Sequence, residues 1–389
     1  MISINDALKI INRFPVGTKV ETVSLFDALG RVLAEEVVSP VNIPPFAKSA
    51  MDGYAIDSED NSRQFFIRET IPAGFDPGIE LQKGECAKIM TGAMVPRGAN
   101  RVIRREVTRE RDGFMLVTDI DKGSNICLKG EDIAAGDTVF NAGQYLDPQH
   151  VGVIASVGFD RVRVFLKPLV GIVTTGNEII APGEELPPGK IYNSNSYSMG
   201  CQYLKYGCDI RYQGMVGDSR DEIRAAVRAM LKTCDVVVIS GGVSVGDFDF
   251  VPRVLKKLGF TTEFEKVAIK PGKPTVFATM DHKVAFGVPG NPVSTFVVNE
   301  IFVKPLLFRM MGRKLPFPFV RGKLAEDLKV KKSDRTSFIP VRVTAGRVET
   351  LEYHGSAHLL ALTRANGLLE IPRQGQDLEK GTQVDVRSI

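Results

Sequence analysis

A chain of 389 residues is too long for one ordinary hydrophobic core and by size alone divides into about two to four domains. Its 50 basic and 46 acidic side chains leave a formal charge of +4, a near balance that argues against general nucleic-acid affinity, which would need a concentrated basic stripe. Cys86, Cys127, Cys201, Cys208 and Cys234 are scattered without a C-x-x-C pair and point to a reducing, cytoplasmic home, while His354 and His358 are the only close histidines, which argues against a zinc triad. The sequence has neither an eighteen-residue apolar run nor a basic-then-apolar leader, so we expect an unprocessed protein that spans no membrane.

In chain order, Ile4, Ala7, Leu8 and Ile11 stand at helical spacing and predict a short opening helix. From about residue 46 to 140, short apolar runs such as Phe65-Phe66-Ile67 and Phe114-Met115-Leu116-Val117 are cut by glycine and aspartate, as in a small antiparallel β domain. Val151 to Ala155 reads as a helix leading to a strand at Val162 to Phe165, a return segment expected to pack against the opening helix. The texture then alternates. Strands are predicted at Leu169 to Thr174, Cys208 to Val216, Asp235 to Ser240 and Val284 to Val288, and helices at Ser196 to Tyr206, from a capping box at Ser219 to Glu222 through about Lys232, at about Phe250 to Leu258, and in one long helix ending near Met311. This is a βαβ progression, hence a doubly wound, mostly parallel sheet with helices on both faces. Beyond Pro316-Phe317-Pro318, segments such as Ser337 to Val343 return to β texture. The expected fold is an α/β multidomain chain: a discontinuous N-terminal domain of 1–45 and 141–168, a small β domain of 46–140, the α/β domain of 169–314 and a C-terminal β domain of 315–389.

Two short loops concentrate chemistry. Ile269-Lys270-Pro271-Gly272-Lys273-Pro274 carries two cations between prolines, and Val288-Pro289-Gly290-Asn291-Pro292-Val293-Ser294 follows soon after. Proline fixes φ and glycine allows unusual backbone angles, so both read as shaped loops, and lysines on such loops suit an oxyanion. In open α/β sheets ligands bind beyond the carboxyl ends of the strands. There stand Thr174 to Glu178, Gly217-Asp218-Ser219, the glycine-rich turn Ser240-Gly241-Gly242-Val243-Ser244 through Asp249, and the proline loop. The glycine-rich turn before a helix offers backbone N–H groups to a phosphate, though it reads equally as a tight turn. Glu178, Asp218 and Asp249 beside it suit a hard cation such as Mg²⁺ on phosphate oxygens. Each has a plainer reading: Asp218 with Ser219 as a helix cap, Glu178 as a turn residue, Asp249 as a first-turn acid.

These residues resemble the MoeA family of molybdopterin molybdenumtransferases, related to the C-terminal domain of gephyrin, over essentially the full length. The resemblance rests on Pro44 to Ala55, Ile89 to Ala93, Gly130 to Ile133, Thr175 to Glu178, Ser240 to Asp249 and the lysine and proline loops. It implies a MogA-like central domain, a C-terminal β-barrel-like domain, and the joining of molybdate to adenylylated molybdopterin with release of AMP. It also implies a homodimer and, as alternatives, a MogA-like adenylyltransferase, which is a possible partner too, or a gephyrin-type scaffold. By the same resemblance Glu178, Asp218 and Asp249 hold Mg²⁺ against the pyrophosphate. Ser240, Gly241, Gly242, Ser244, Pro289 and Pro292 line the substrate. Lys270, Lys273, Ser294, Arg335 and Ser356 receive molybdate, and Asp52, Thr91 and Asp132 complete the cleft from the partner subunit. Two departures stand out: Asn177 replaces an aspartate frequent in the family, and Gly98 to Arg105 is unusually basic, either a lure for an anionic substrate or a solvated edge.

Overall fold

The computed structural model describes residues 1–119, 121–243, 250–313 and 319–389. The chain forms two compact units, one of Met1–Glu21, Gly30–Val32 and Val164–Ile389, the other of Thr22–Leu29 and Leu33–Arg163. No helix among the described residues is long and apolar enough to cross a membrane.

In the larger unit, apolar runs become the inner strands of a six-stranded sheet. Its order is Asp209–Val216, Leu169–Thr175, Val236–Ser240, Lys283–Val288, Pro274–Met280, Thr261–Lys266. The first four pair in parallel, and Pro274–Met280 runs antiparallel to both its neighbours, Lys283–Val288 and Thr261–Lys266. Val236–Ser240 is buried at every position because both faces are covered. Val236 and Val238 join the helices Asn195–Tyr206 and Pro292–Val298 in one cluster, whereas Val237 and Ile239 join Arg220–Leu231 and Val251–Lys257 in another. Each such side chain contributes roughly 1.5–3 kcal/mol by leaving water. The opening helix, Ile4–Arg13, buries Ala7 and Ile11, with Phe14 beyond its end, in the first of these clusters beside Phe277 and Phe302. The apolar face of the opening helix goes to this cluster, and the helix Pro148–Ser156 falls in the other unit.

Two local expectations are revised. Ser219 caps Arg220–Leu231 by accepting the Glu222 N–H at 3.4 Å, but the Glu222 carboxylate turns to the Gly217 N–H at 2.9 Å, so the reciprocal half of a capping box is replaced by a brace on the preceding strand end. The single long helix expected to reach Met311 is three pieces: Pro292–Val298, a π-helical Asn299–Val303 and Lys304–Met310. Pro305 has no N–H to continue an α-helical ladder. The wider turn also lets buried Asn299 and Glu300 face the neighbouring helix, where Glu300 accepts from Tyr206 (2.6 Å) and Gln202 (3.3 Å) and Asn299 from Tyr203 (2.9 Å), while Lys304, one turn on, also donates to Glu300 (2.8 Å).

The C-terminal strands Phe319–Leu324, Thr336–Thr344, Arg347–Thr350, Gly367–Ile371 and Gln383–Ser388 close on themselves around Leu324, Val341, Val348, Leu369, Ile371 and Val386. Closure leaves no free edge within the barrel. The two-residue strand Ile269–Lys270 pairs parallel to Thr336–Thr344, with Lys270 opposite Ser337.

The smaller unit holds a six-stranded sheet of its own, ordered Arg101–Arg104, Gly53–Ile56, Glu85–Ile89, Gln64–Ile71, Phe114–Val117, Thr108–Arg111. It is mixed and not purely antiparallel as expected. Gln64–Ile71 and Glu85–Ile89 run parallel, which the long 72–84 connection allows. Tyr54, Phe65, Cys86 and Met115 fill one face of it.

Candidate functional site

In the larger unit the carboxyl ends of four parallel strands meet through specific bonds. Asn177 and Asp218 clasp each other: the Asn177 N–H donates to Asp218 Oδ2 (3.2 Å) and the Asp218 N–H to Asn177 Oδ1 (3.1 Å). Both bonds run from a backbone N–H to a side-chain oxygen, so the neutral asparagine keeps the clasp with one negative charge fewer than an aspartate would bring. Glu178 is exposed next to this turn, and Lys190 donates to the Asn177 carbonyl at 2.5 Å. Among the described residues no three Asp, Glu, His or Cys side chains gather into a metal-holding group. Asp249 and Ser244 lie outside the described residues. Asp218 and Glu178 nonetheless offer hard oxygen donors of the kind a partly hydrated Mg²⁺ takes.

The next strand end is the Ser240 turn. Gly241 has φ 96°, and a Cβ there would stand 2.5 Å from the Thr175 carbonyl oxygen, so only glycine brings this backbone so close. Gly242, also at positive φ, accepts from the Val251 N–H at 3.1 Å, at the start of the following helix. Ser240 is buried, its hydroxyl donating to the Pro289 carbonyl (3.2 Å) and accepting from Asn195 (2.8 Å). Its side chain is thus engaged in holding two loops together. Pro289 is buried and Pro292 half-buried at the start of the helix Pro292–Val298.

The proline loop continues to the barrel side. Asn291 Nδ2 donates to Ser356 Oγ (3.0 Å) and the Val293 N–H to the Ser356 carbonyl (3.0 Å). Lys270 and Lys273 are exposed around buried Pro271 and Gly272. Gly272 has φ 114°, and a Cβ there would meet Val298 at 2.6 Å. Because the Thr336 N–H donates to the Ala268 carbonyl (3.0 Å), Arg335 lies next to the start of the lysine loop, half-buried, its Nε 3.6 Å from Asp334. Ser294 is 3% exposed, so it sits below the surface that Lys270, Lys273 and Ser356 present.

In the smaller unit Asp52 and Thr91 come together: the Thr91 N–H and hydroxyl both donate to Asp52 Oδ1 at 2.7 Å. These two bonds, with a smaller pull from Arg105, hold the Asp52 carboxyl below its ordinary range. Asp132 is exposed, and its N–H donates to the Ile43 carbonyl (3.0 Å); nothing described bonds it to Asp52 or Thr91. The basic stretch is mostly engaged internally, Arg101 donating to the Gly123 carbonyl (3.1 Å) and Arg104 to Asp121 (3.2 Å), as a structural edge requires.

Sequence reasoning missed Asn195, Asn291 and Lys190. Asn195 opens a helix and reads as an ordinary helix-start residue. Only the fold brings its amide to Ser240, 45 positions later.

Comparison with known proteins covers nearly the whole chain. Residues 2–158 match the MoeA N-terminal region (domain I and II), 171–309 a probable molybdopterin binding domain, and 321–389 the MoeA C-terminal region (domain IV). A Staphylococcus epidermidis protein named molybdopterin molybdenumtransferase is 34% identical over 398 residues, covering 99% of this chain and 95% of its own length. A Staphylococcus aureus protein of the same name is 34% identical over 378 residues, covering 94% and 90%. The crystal structure of a molybdopterin biosynthesis MoeA protein from Pyrococcus horikoshii superposes with a TM-score of 0.87 at 31% identity, covering 100% of this chain and 99% of that one.

Proposed function

Since the chain belongs to the MoeA family, we infer that it is a molybdopterin molybdenumtransferase, a transferase of molybdenum cofactor biosynthesis. A MogA-like adenylyltransferase corresponds to the central part alone, whereas the flanking parts match MoeA regions. We propose that it joins molybdate to adenylylated molybdopterin and releases AMP.

The observation that carries this reading is the bonded continuity from the Ser240 turn through Pro289 to Asn291 and Ser356, which links a phosphate-suited strand edge to a cationic loop. The Gly241 N–H donates to the Val288 carbonyl and the Val251 N–H to the Gly242 carbonyl, so among the described residues the Gly242 N–H is the backbone donor of this turn offered to phosphate oxygens. Lys270, Lys273, Ser356 and Arg335 present ammonium, hydroxyl and guanidinium donors to a tetrahedral dianion. Rate enhancement then comes from placement and charge stabilisation, without a covalent nucleophile. Glu178 and Asp218, with Asp249, would hold Mg²⁺, which supplies charge neutralisation on the pyrophosphate. The four-part division at residues 45, 140, 168 and 314 is part of the same proposal, as is a cytoplasmic homodimer that draws on Asp52, Thr91 and Asp132 and takes its substrate from a MogA-like partner.

AMP release from adenylylated molybdopterin, followed with and without molybdate and Mg²⁺, tests the reading. We expect release that needs both. Formation of the adenylylated compound from molybdopterin and ATP, with no molybdate-dependent AMP release, would replace it with the adenylyltransferase. Light scattering of the purified chain checks the dimer, and a monomeric mass would remove it.

A further inference from the structure

One amide stands where the two halves of this site meet. Asn195, at the start of the helix Asn195–Tyr206, directs Nδ2 to Ser240 Oγ (2.8 Å), the Gly290 carbonyl (2.7 Å) and Thr295 Oγ1 (3.5 Å). Two N–H bonds thus reach three acceptors on two separate strand-end loops. Thr295 in turn donates to the Pro289 carbonyl (2.5 Å) and the Asn291 carbonyl (3.1 Å), and Asn291 reaches Ser356. The path from the Ser240 turn to Ser356 runs through Pro289 and Asn291, and Asn195 braces its first span by joining Ser240 to Gly290 and Thr295, an uncharged side chain with no acid–base chemistry to contribute.

Asn195 is also incompletely satisfied. Its Oδ1 is buried without a partner among the described residues, and so are Thr175 Oγ1 and Ser196 Oγ, both on residues 6% exposed. All three lie at the same end of the sheet: Thr175 ends its strand, its hydroxyl 2.8 Å from where a Gly241 Cβ would stand, and Ser196 follows Asn195 in the helix. An unmade buried hydrogen bond is costly, and here that cost is offset by the contacts Nδ2 makes to Ser240, Gly290 and Thr295.

We propose that Asn195 is a positioning residue that fixes the spacing between the phosphate-side turn and the oxyanion-side loop, with Asn291 as the second link. The proposal rests on the functional reading above. Removing the amide leaves the strand pairing and the Ser240–Pro289 bond in place but frees Gly290 and Thr295 to shift, and misplacement of about 1 Å costs a factor of about 10² in rate. For Asn195 the loss therefore falls on kcat and not on affinity for the adenylylated compound, whereas Asn291, bonded to Ser356, acts on the molybdate KM.

The experiment uses the full chain. Equilibrium binding of adenylylated molybdopterin, read by pterin fluorescence without molybdate, is measured beside molybdate-dependent AMP release. For Asn195→Ala we expect kcat to fall about 10²-fold while the dissociation constant changes less than about threefold. For Asn291→Ala, whose side chain is exposed so that folding is not at stake, we expect the molybdate KM to rise roughly fivefold with the dissociation constant unchanged. An unaltered kcat in Asn195→Ala overturns the assignment, and so does a dissociation constant that rises as far as kcat/KM falls, since Asn195 is then an ordinary substrate contact. If Asn195→Ala does not fold, Asn291→Ala decides alone, an unchanged molybdate KM counting against the link. Failure of the unmutated chain to release AMP with molybdate sinks the functional reading itself; normal release with unaffected variants sinks only this inference.

Discussion

The sheet edge of the larger unit and the Asp52–Thr91 pair of the smaller one both gather polar residues, yet they are built in opposite ways. At the sheet edge, parallel strands of buried valine and isoleucine fix four loop starts side by side, and bonds between loops are left to a few amides. Asp52 instead closes on its own neighbourhood, one carboxylate oxygen taking both the N–H and the hydroxyl of Thr91. The first arrangement keeps donors and acceptors open at a surface; the second uses them up locally. A cluster is therefore better judged by the hydrogen-bonding capacity it leaves unspent than by its composition.

The largest effect that would sharpen this contrast belongs to Asp218. Asp218→Ala removes a carboxylate and one half of the clasp with Asn177, and we expect turnover to fall by about 10²–10³ with the circular dichroism spectrum unchanged. A drop below tenfold would place the acidic side of the site elsewhere. Next comes Lys270→Ala, for which a rise of about tenfold in the molybdate KM is expected, read by titrating molybdate at saturating substrate. An unchanged KM would send the oxyanion to another cation.

Gly272→Ala acts on stability. With φ at 114° and Val298 2.6 Å from the new methyl, the variant should lose about 1–3 kcal/mol in urea unfolding. A neutral result would mean that the lysine loop is less tightly held than its contacts imply. The smallest effect concerns Asp52. Its carboxyl titrates below the ordinary 3.8 because Thr91 donates to the ionised form, so its contribution is present above that value and disappears as pH falls through the lower native one. Thermal melts should show Asp52→Asn less stable than the parent near pH 7 and the two converging in strongly acidic solution; a constant difference at every pH would break the comparison.

How much could be read beforehand follows from the same physics. Leu169–Thr175 and Val236–Ser240 are apolar runs that only a covered parallel sheet accommodates, so their polar ends pointed to the edge without any contact being known. Lys270 and Lys273 were legible because proline and glycine restrict where they stand. Asn195 was not, since an asparagine at a helix start has an adequate local explanation. Nor was the π-helical Asn299–Val303, which depends on a glutamate buried against a tyrosine and a glutamine of another helix. The parallel pair Gln64–Ile71 and Glu85–Ile89 escaped for a related reason: alternation shows which face of a strand is buried but not which neighbour it takes.

The pairing of Ile269–Lys270 with Thr336–Thr344 has a consequence for dissecting the chain. A fragment ending before residue 319 would keep every strand of the doubly wound sheet and both lysines, yet it would lose the rail along which Lys270 is aligned. The barrel acts as a ruler for a loop that precedes it in sequence. A chimera that exchanges the last seventy or so residues with those of a relative exchanges the register of the cation along with them, even though no lysine of the loop is touched.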